Sequence, residues 1–329
     1  MSPLMNVSRW HDEKTSVFDE ERMKTMKMKR IISTIIAVSM SLIFSVPVYA
    51  IGSAGTQCGS NNEFNIIMTE DYVNEYDYIV AVRNMTTMDL LENGGSLDKA
   101  SYYRSNAPEQ ELLYRATLSE DVLRNYYCYS DEAIELIKNY DGTPLEDAPE
   151  MRTATATMTS GLGELLVTST RIGFLYTCTW QSKPLDGGED AAGVAWEGTY
   201  ANGGNNNATL SLRDSYAQII YRDYSGDYTE TFDIDSSNLH NNAYVEFDFE
   251  KDESNGADIR YQWAKTTSLF VYVDLANLDG PEFVELIAHG DYGHTEYGAT
   301  AGISFPWGIS ISFYTETVVY GDRNLVIHV

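Results

Sequence analysis

The sequence is poor in cysteine, in basic residues and in long apolar runs. Three cysteines are too few for a small disulfide scaffold. Only 22 lysines and arginines stand against 49 acidic residues, which gives a net charge of −27. That charge repels phosphate backbones and anionic lipids, so we expect neither nucleic acid nor an anionic membrane as a partner. The chain has 12% aromatic and 43% hydrophobic residues, which excludes a disordered chain and leaves a soluble globular protein.

Local motifs for catalysis are also absent from the sequence. It contains no CxxC pair, no HExxH and no GxSxG, so neither a zinc site nor an activated nucleophile is indicated by spacing. Paired carboxylates for glycoside hydrolysis are spatial rather than sequential, and a chain with 49 acids gives no way to select them. We therefore assign no catalytic residue, and the sequence favours a non-enzymatic protein.

The first fifty residues resemble an export signal. Residues 23–50 contain a basic start, an apolar stretch and Val48-Tyr49-Ala50, the small-x-small pattern that predicts cleavage after Ala50. The alternative is an uncleaved N-terminal anchor. Residues 1–22 are acidic and fit no signal peptide, so they indicate a misassigned start or a cytoplasmic leader. Residues 51–63 are small and polar and predict a flexible N-terminus. We expect a secreted, extracellular protein.

Residues 64–142 have helical patterns and predict a small helical module. Ser119 and Ser130 each precede acidic residues, as helix N-caps do. Asn106 with Pro108 predicts another helix start, and Gly142 predicts a helix end. A further helix is expected within residues 72–93. Residues 143–152, with two prolines and several acids, predict a linker.

Beyond the predicted linker the period changes from helix to strand. Residues 174–180 and 245–250 alternate apolar with polar side chains, which indicates strands with one wet face. Asn255-Gly256 predicts a hairpin turn. Residues 153–329 accommodate about ten such strands. The predicted fold class is α+β: a small N-terminal helical module followed by an antiparallel β-sandwich or barrel.

The most suggestive cluster for a metal is His289, Asp291 and His294. Imidazole and carboxylate groups are ligands for zinc and other divalent metals. Residues five apart in a regular strand face opposite ways, so the two imidazoles converge only if Gly290 or Gly293 makes a bulge or turn. Hydrogen-bonded histidines in a strand are the alternative. No cofactor is otherwise expected. Calcium is a weaker candidate, with acidic ligands in these expected loops: Asp186 to Asp190, Asp223 with Asp227, and Asp233 with Asp235.

Tyrosines and cysteines complete the candidate residues. Tyrosines on wet faces or loops stack on sugar rings, which makes a glycan or an extracellular protein the expected partner; the tyrosines concerned are Tyr216, Tyr221, Tyr224 and Tyr228. Cys58, Cys128 and Cys178 allow one bridge with a free thiol, or three free thiols. Cys178 shares the apolar phase of its strand, which predicts a buried thiol.

Parts of the chain resemble uncharacterised exported proteins of Gram-positive bacteria. The resemblance rests on residues 118–123 and 129–142, on Trp180-x-x-x-Pro184, and on Tyr-Gly-His-Thr at 292–295. In those proteins a helical pair precedes a β-rich region. Cys128 stands where that pattern has glycine. The resemblance implies export and architecture, and transfers no function and no site residue.

Three functional hypotheses follow. The leading one is a secreted, non-enzymatic binding or interaction protein, which predicts exposed tyrosines on one face. The second is a metal-dependent hydrolase or metal-stabilised domain that uses His289 to His294. The third is a secreted toxin or bacteriocin-like β protein, suggested by export and amphipathic hairpins.

Overall fold

The computed structural model describes most of the chain beyond residue 67. These residues fall within one compact unit, Glu63–Val329. The described ranges are 68–92, 101–168, 170–200, 211–237, 241–255, 258–274, 283–295, 302–304, 312–314 and 317–328. The predictions for residues 1–63, including the cleavage after Ala50 and the state of Cys58, lie outside them. Among the described helices, none has the length and apolar character needed to cross a membrane.

Six short α-helices precede the long strands. They are α1 (Glu75–Asn84), α2 (Thr87–Glu92), α3 (Ser101–Arg104), α4 (Ala107–Thr117), α5 (Glu120–Asn125) and α6 (Asp131–Asn139). Ser119 accepts a hydrogen bond from the Val122 N–H, and Ser130 accepts one from the Ala133 N–H. Both predicted N-caps are therefore confirmed, and each satisfies a backbone donor that the first helical turn leaves unpaired.

Two segments ahead of the long strands contain elements that the sequence pattern did not indicate. Met68–Asn74, in the predicted helical region, forms strand β1, which pairs antiparallel with a strand about 90 residues later in the chain. Residues 143–152, predicted as a linker, contain the 3-10 helix Leu145–Asp147 and the start of a second one, Pro149–Ala154. Leu145 and Met151 are buried. The two prolines stand at the start of these 3-10 helices. The buried apolar residues follow at intervals of about three, which places them on one face of a 3-10 helix.

The remaining strands form two main antiparallel sheets and a short third one. They are β2 (Thr157–Val167), β3 (Arg171–Trp180), β4 (Glu189–Tyr200), β5 (Ser211–Leu212), β6 (Tyr216–Asp223), β7 (Gly226–Asp233), β8 (Asp235–Ser237), β9 (Asn242–Asp248), β10 (Glu250–Asn255), β11 (Asp258–Asp274), β12 (Phe283–Thr295), β13 (Gly302–Ser304), β14 (Ser312–Tyr314) and β15 (Thr317–His328). One sheet has the order β1-β2-β3-β11-β6-β7, with β5 and β10 also paired to β11. The other has the order β15-β12-β4-β9-β8, and β13 pairs with β14.

Large aromatic side chains fill the space between the two main sheets. Phe174 on β3 meets Trp196 on β4 with 5.8 Å between ring centroids. Tyr176 packs so closely on Gly290 of β12 that an added Cβ would lie 2.6 Å from its ring. The two sheets thus face each other as a sandwich, and the predicted α+β class is confirmed. Cys178 is buried in this core, as predicted, and both Cys128 and Cys178 are free thiols.

Candidate functional site

Three exposed tyrosines surround one cleft between the helices and the sheet that contains β11. Tyr114, Tyr224 and Tyr261 are 55%, 56% and 60% exposed, and all three line a cleft of about 600 Å³. Its volume lies in the range of about 300–1,000 Å³ usual for ligand sites. Its other lining residues are Leu118, Val122, Tyr126, Tyr127, Lys183, Asp223, Ser225, Glu250 and Arg260. We call this the tyrosine cleft.

The helical wall of the tyrosine cleft is tied to the sheet by two hydrogen bonds. The Trp263 indole N–H donates to the Tyr126 carbonyl at 2.8 Å. The Arg222 Nε donates to the Asn125 carbonyl at 2.7 Å. Both acceptors are carbonyls at the C-terminal end of α5, where helical carbonyls lack intrahelical partners. The wall is therefore held at a set position relative to β6 and β11.

A tight turn between β6 and β7 places Tyr224 at the rim. The Asp223 carboxylate accepts hydrogen bonds from the backbone N–H groups of Ser225 and Gly226, at 2.6 and 2.9 Å. This is the local bonding that makes aspartate a turn former. Gly226 has a φ of +147°, which only glycine adopts readily. Tyr224 stands between these residues, and the turn projects it into solvent.

Two cations lie close to the ring of Tyr127, which lines the inner side of the cleft together with Lys183. The Arg115 guanidinium lies 4.5 Å from the centroid of the Tyr127 ring, and the Lys183 ammonium lies 5.5 Å from it. Lys183 is buried and donates to the Glu250 carboxylate at 2.7 Å. Burial lowers the pKa of Lys183, while Glu250 acts to raise it. The charge of Lys183 on the inner side of the cleft is therefore paired with that of Glu250.

Of the four tyrosines selected from the sequence, Tyr224 alone lines the cleft. Tyr221 is buried, with its ring stacked on Tyr228 at 5.7 Å. Tyr216 stacks on Phe270 at 4.7 Å. Tyr114 and Tyr261 were not among the residues selected from the sequence. Two positions after buried Leu112, Tyr114 leaves the apolar face of α4, which is a signal that could have found it.

Two of the motifs on which the resemblance rests, at Trp180 and at Tyr292 to Thr295, meet in a buried polar network. The Trp180 indole N–H donates to the Tyr292 hydroxyl at 3.3 Å, and that hydroxyl donates to the Asp190 carboxylate. His294 Nδ1 donates to the same carboxylate at 2.7 Å, and its Nε2 donates to the Asp186 carbonyl at 3.2 Å. Both ring nitrogens of His294 face acceptors, so both carry a proton and the ring is positively charged. Asp190 and His294 are both at most 1% exposed.

The predicted metal ligands lie on one strand but do not converge. Alternation along β12 places His294 on the face toward Trp180, with His289 and Asp291 on the opposite face. His289 contacts Asp291 at 3.1 Å. The bulge near Gly290 shifts the register against β15 only, since the pairing with β4 is regular from Glu285 to His294. The described residues contain no group of three ligands arranged for a metal ion.

Three of the acids named for calcium have other partners. Asp190 is bound to His294, Asp223 holds the β6–β7 turn, and Asp227 pairs with Arg222 and Lys265 at 2.8 and 3.0 Å. A carboxylate that is already hydrogen-bonded to a cation or to backbone N–H groups has less capacity to bind a metal ion.

Stability is expected to fall as the pH rises from about 5 to about 9. Burial raises the pKa of Glu75 from 4.5 to about 7, partly offset by the Leu185 N–H, Arg115 and His294. Burial acts to lower the pKa of His294, but Asp190, Asp186 and Glu75 outweigh it and raise the pKa from 6.5 to about 9. Both groups bind protons more tightly in the folded chain, so each contribution is lost as the pH rises through its folded pKa.

Urea denaturation at about pH 5, 7 and 9 measures this dependence. We expect each shift to correspond to a few kcal/mol, with the Glu75 part lost between about pH 4.5 and 7 and the His294 part between about pH 6.5 and 9. The variant His294→Gln should flatten the upper part of the curve most, and it also removes one of the groups that lower the pKa of Glu75. A free energy of unfolding that stays constant from pH 5 to pH 9 in the wild type would contradict both assignments.

Comparisons with known proteins do not identify a family for this chain. No protein-family model matches it, and no curated protein matches it. Among solved structures, the collagen-binding subdomain of the Enterococcus faecalis surface protein ACE aligns over 50% of this chain and 91% of its own, with 6% identity and a TM-score of 0.20. The Clostridium perfringens NetB toxin in its membrane-inserted form aligns over 53% and 90%, with 8% identity and a TM-score of 0.21. Similarity at this level carries no argument about function.

Proposed function

We propose that the protein is a secreted, non-enzymatic carbohydrate-binding protein whose ligand lies in the tyrosine cleft. The observation that supports this is the clustering of exposed tyrosines. Among the described residues, five large hydrophobic side chains are strongly exposed, and three of them line this cleft. Exposed apolar groups that are gathered at one place mark a binding surface, whereas scattered ones do not.

The chemistry of the cleft suits a sugar. A tyrosine ring offers an apolar face to the C–H groups of a sugar ring, and its hydroxyl group forms hydrogen bonds at the edge. Asp223, Glu250 and Arg260 stand beside these rings and match the hydroxyl groups of a carbohydrate. Aliphatic side chains, which dominate sites for apolar ligands, contribute only Leu118 and Val122.

The paired charges of the cleft and the negative charge of the whole chain favour neutral carbohydrates as ligands. Within the cleft, Lys183 is paired with Glu250, and the Arg260 guanidinium lies 3.8 Å from Asp223. The cleft is therefore close to neutral, while the whole chain carries −27. That overall charge repels acidic polysaccharides at low ionic strength. The acids of the cleft also serve as partners of cations, which favours binding over acid–base catalysis.

Replacement of one rim tyrosine is expected to weaken binding about tenfold. Truncating an aromatic side chain that a ligand covers removes a contact worth on the order of 1 kcal/mol, and 1.4 kcal/mol is tenfold in affinity. The variants are Tyr224→Ala and Tyr261→Ala, whereas Tyr224→Phe keeps the ring and should retain most of the affinity. Isothermal titration with soluble neutral glucans, mannans and N-acetylglucosamine oligomers measures the effect.

The control is Met88→Ala. Met88 is 64% exposed and does not line the cleft, so its removal should leave the affinity unchanged. The proposal would be contradicted if no neutral carbohydrate bound, or if both alanine variants bound as tightly as the wild type. The metal-dependent and toxin alternatives have no supporting contact in the described part of the chain.

A further inference from the structure

A second cleft adjoins the tyrosine cleft. It has a volume of about 620 Å³ and is lined by Tyr102, Asn106, Gln110, Glu111, Asp186 and Gly187, among others. Three residues, Tyr127, Lys183 and Glu250, line both clefts. The Lys183–Glu250 pair therefore lies on the boundary between the two spaces. We call the second space the amide cleft, after Asn106 and Gln110.

Helix α4 forms one wall along both clefts. Asn106 and Gln110 line the amide cleft, and Tyr114 and Leu118 line the tyrosine cleft. Gln110 and Tyr114 are four residues apart within α4 and lie on neighbouring turns of the helix, whereas Asn106 and Leu118 flank its two ends. At 1.5 Å per residue, α4 from Ala107 to Thr117 is about 15 Å long. A wall of this length exceeds the size of a single sugar ring.

We infer that the two clefts form one groove that binds an extended, linear and neutral oligosaccharide. This inference rests on the proposed function and specifies its ligand. In the tyrosine cleft, rings stack on the apolar faces of sugar units. In the amide cleft, Asn106 and Gln110 donate to and accept from sugar hydroxyl groups, since an amide carries both functions.

The middle of the groove is polar and firmly positioned. Lys183 is fixed between the Tyr127 ring and Glu250. The backbone at Gly187 approaches Glu250 so closely that an added Cβ would lie 2.5 Å from its Oε1 atom. Glu250 remains 38% exposed along its side chain, so it can accept a hydrogen bond from a ligand that crosses between the clefts.

The dependence of affinity on ligand length tests this inference. Titration of the purified protein with di-, tetra- and hexasaccharides of β-1,4-linked glucose and N-acetylglucosamine should show affinity rising at least tenfold with length. In the double variant Asn106→Ala with Gln110→Ala, affinity for the hexasaccharide should fall toward that for the disaccharide. Tyr224→Ala should weaken binding of every length.

The double variant is suited to this comparison because it replaces two solvent-facing side chains. Asn106 and Gln110 are exposed, and the Asn106 side chain makes no capping hydrogen bond to α4. A thermal melt checks that each variant stays folded. If the disaccharide binds as tightly as the hexasaccharide, or if the double variant keeps full affinity for the hexasaccharide, the groove is disproved while carbohydrate binding stands. If no oligosaccharide binds at any length, both proposals fail.

Discussion

Replacing His294 with alanine is expected to lower the free energy of unfolding by about 3–5 kcal/mol. The substitution leaves the fully buried Asp190 carboxylate without its cation, and a buried charge without a partner is strongly destabilising. It also removes ring contacts to Trp180 and Phe249, whose centroids lie 5.4 and 4.8 Å away. Urea denaturation at about pH 6, where the wild-type imidazole is charged, measures the loss.

A double-mutant cycle separates the charge pair from simple loss of packing. Asp190→Asn with His294→Ala removes both charges, so the double variant should be less destabilised than the sum of the two single variants. Additive losses would show that the pair contributes no coupling. Because His294→Ala weakens the whole fold, a loss of function in this variant does not identify a metal ligand.

Replacing Arg115 with methionine is expected to destabilise the protein by a comparable amount, about 3–5 kcal/mol. Arg115 is fully buried and donates to the carbonyls of Lys183 and Pro184, at 2.8 and 2.6 Å, and to Glu111 at 2.8 Å. Methionine fills part of the volume but leaves these acceptors buried without a donor. The same contacts attach the segment between β3 and β4 to α4, so carbohydrate affinity should fall as well.

Two further variants test the Arg115 assignment. Arg115→Lys should also be less stable than the wild type. An ammonium group cannot replace the planar guanidinium, which reaches several acceptors and stacks on Tyr127. Arg124 pairs with Asp131 on the surface, and Arg124→Ala should leave the unfolding midpoint nearly unchanged because water screens exposed ion pairs. If Arg115→Met were as stable as the wild type, the buried guanidinium would have no structural role.

Much of the local structure was predictable because it depends on short-range chemistry. The caps at Ser119 and Ser130 follow from a side-chain oxygen that accepts from a nearby backbone N–H. The hairpin near Asn255 was predictable because Asn-Gly favours a two-residue turn. Strands β10 and β11 pair antiparallel, with Asn255 opposite Asp258. In contrast, β1 was missed because its pairing with β2 is a long-range contact that leaves no period in the segment itself.

The candidate site was predictable only in its chemistry. Tyrosine on a wet loop indicated sugar stacking, and Tyr224 follows that expectation. Tyr261 shares the alternation phase of buried Trp263 on β11 but is 60% exposed. Strand β11 has 17 residues and spans about 56 Å at about 3.3 Å each, and Tyr261 lies near its first residue, Asp258. Alternation gives the face of a residue, whereas the extent of the covering layer decides its burial.

The α+β class, the antiparallel pairing of the strands, the helix caps and the excess of negative charge could all be read from residue type and short spacing. Which residues contact one another depends instead on the packing of the folded chain. It joined Trp180 and His294 through Asp190 and Tyr292, and it separated His294 from His289. It also gathered tyrosines from α4, the β6–β7 turn and β11 at one cleft. Such contacts depend on the packing of whole layers, which no local pattern encodes.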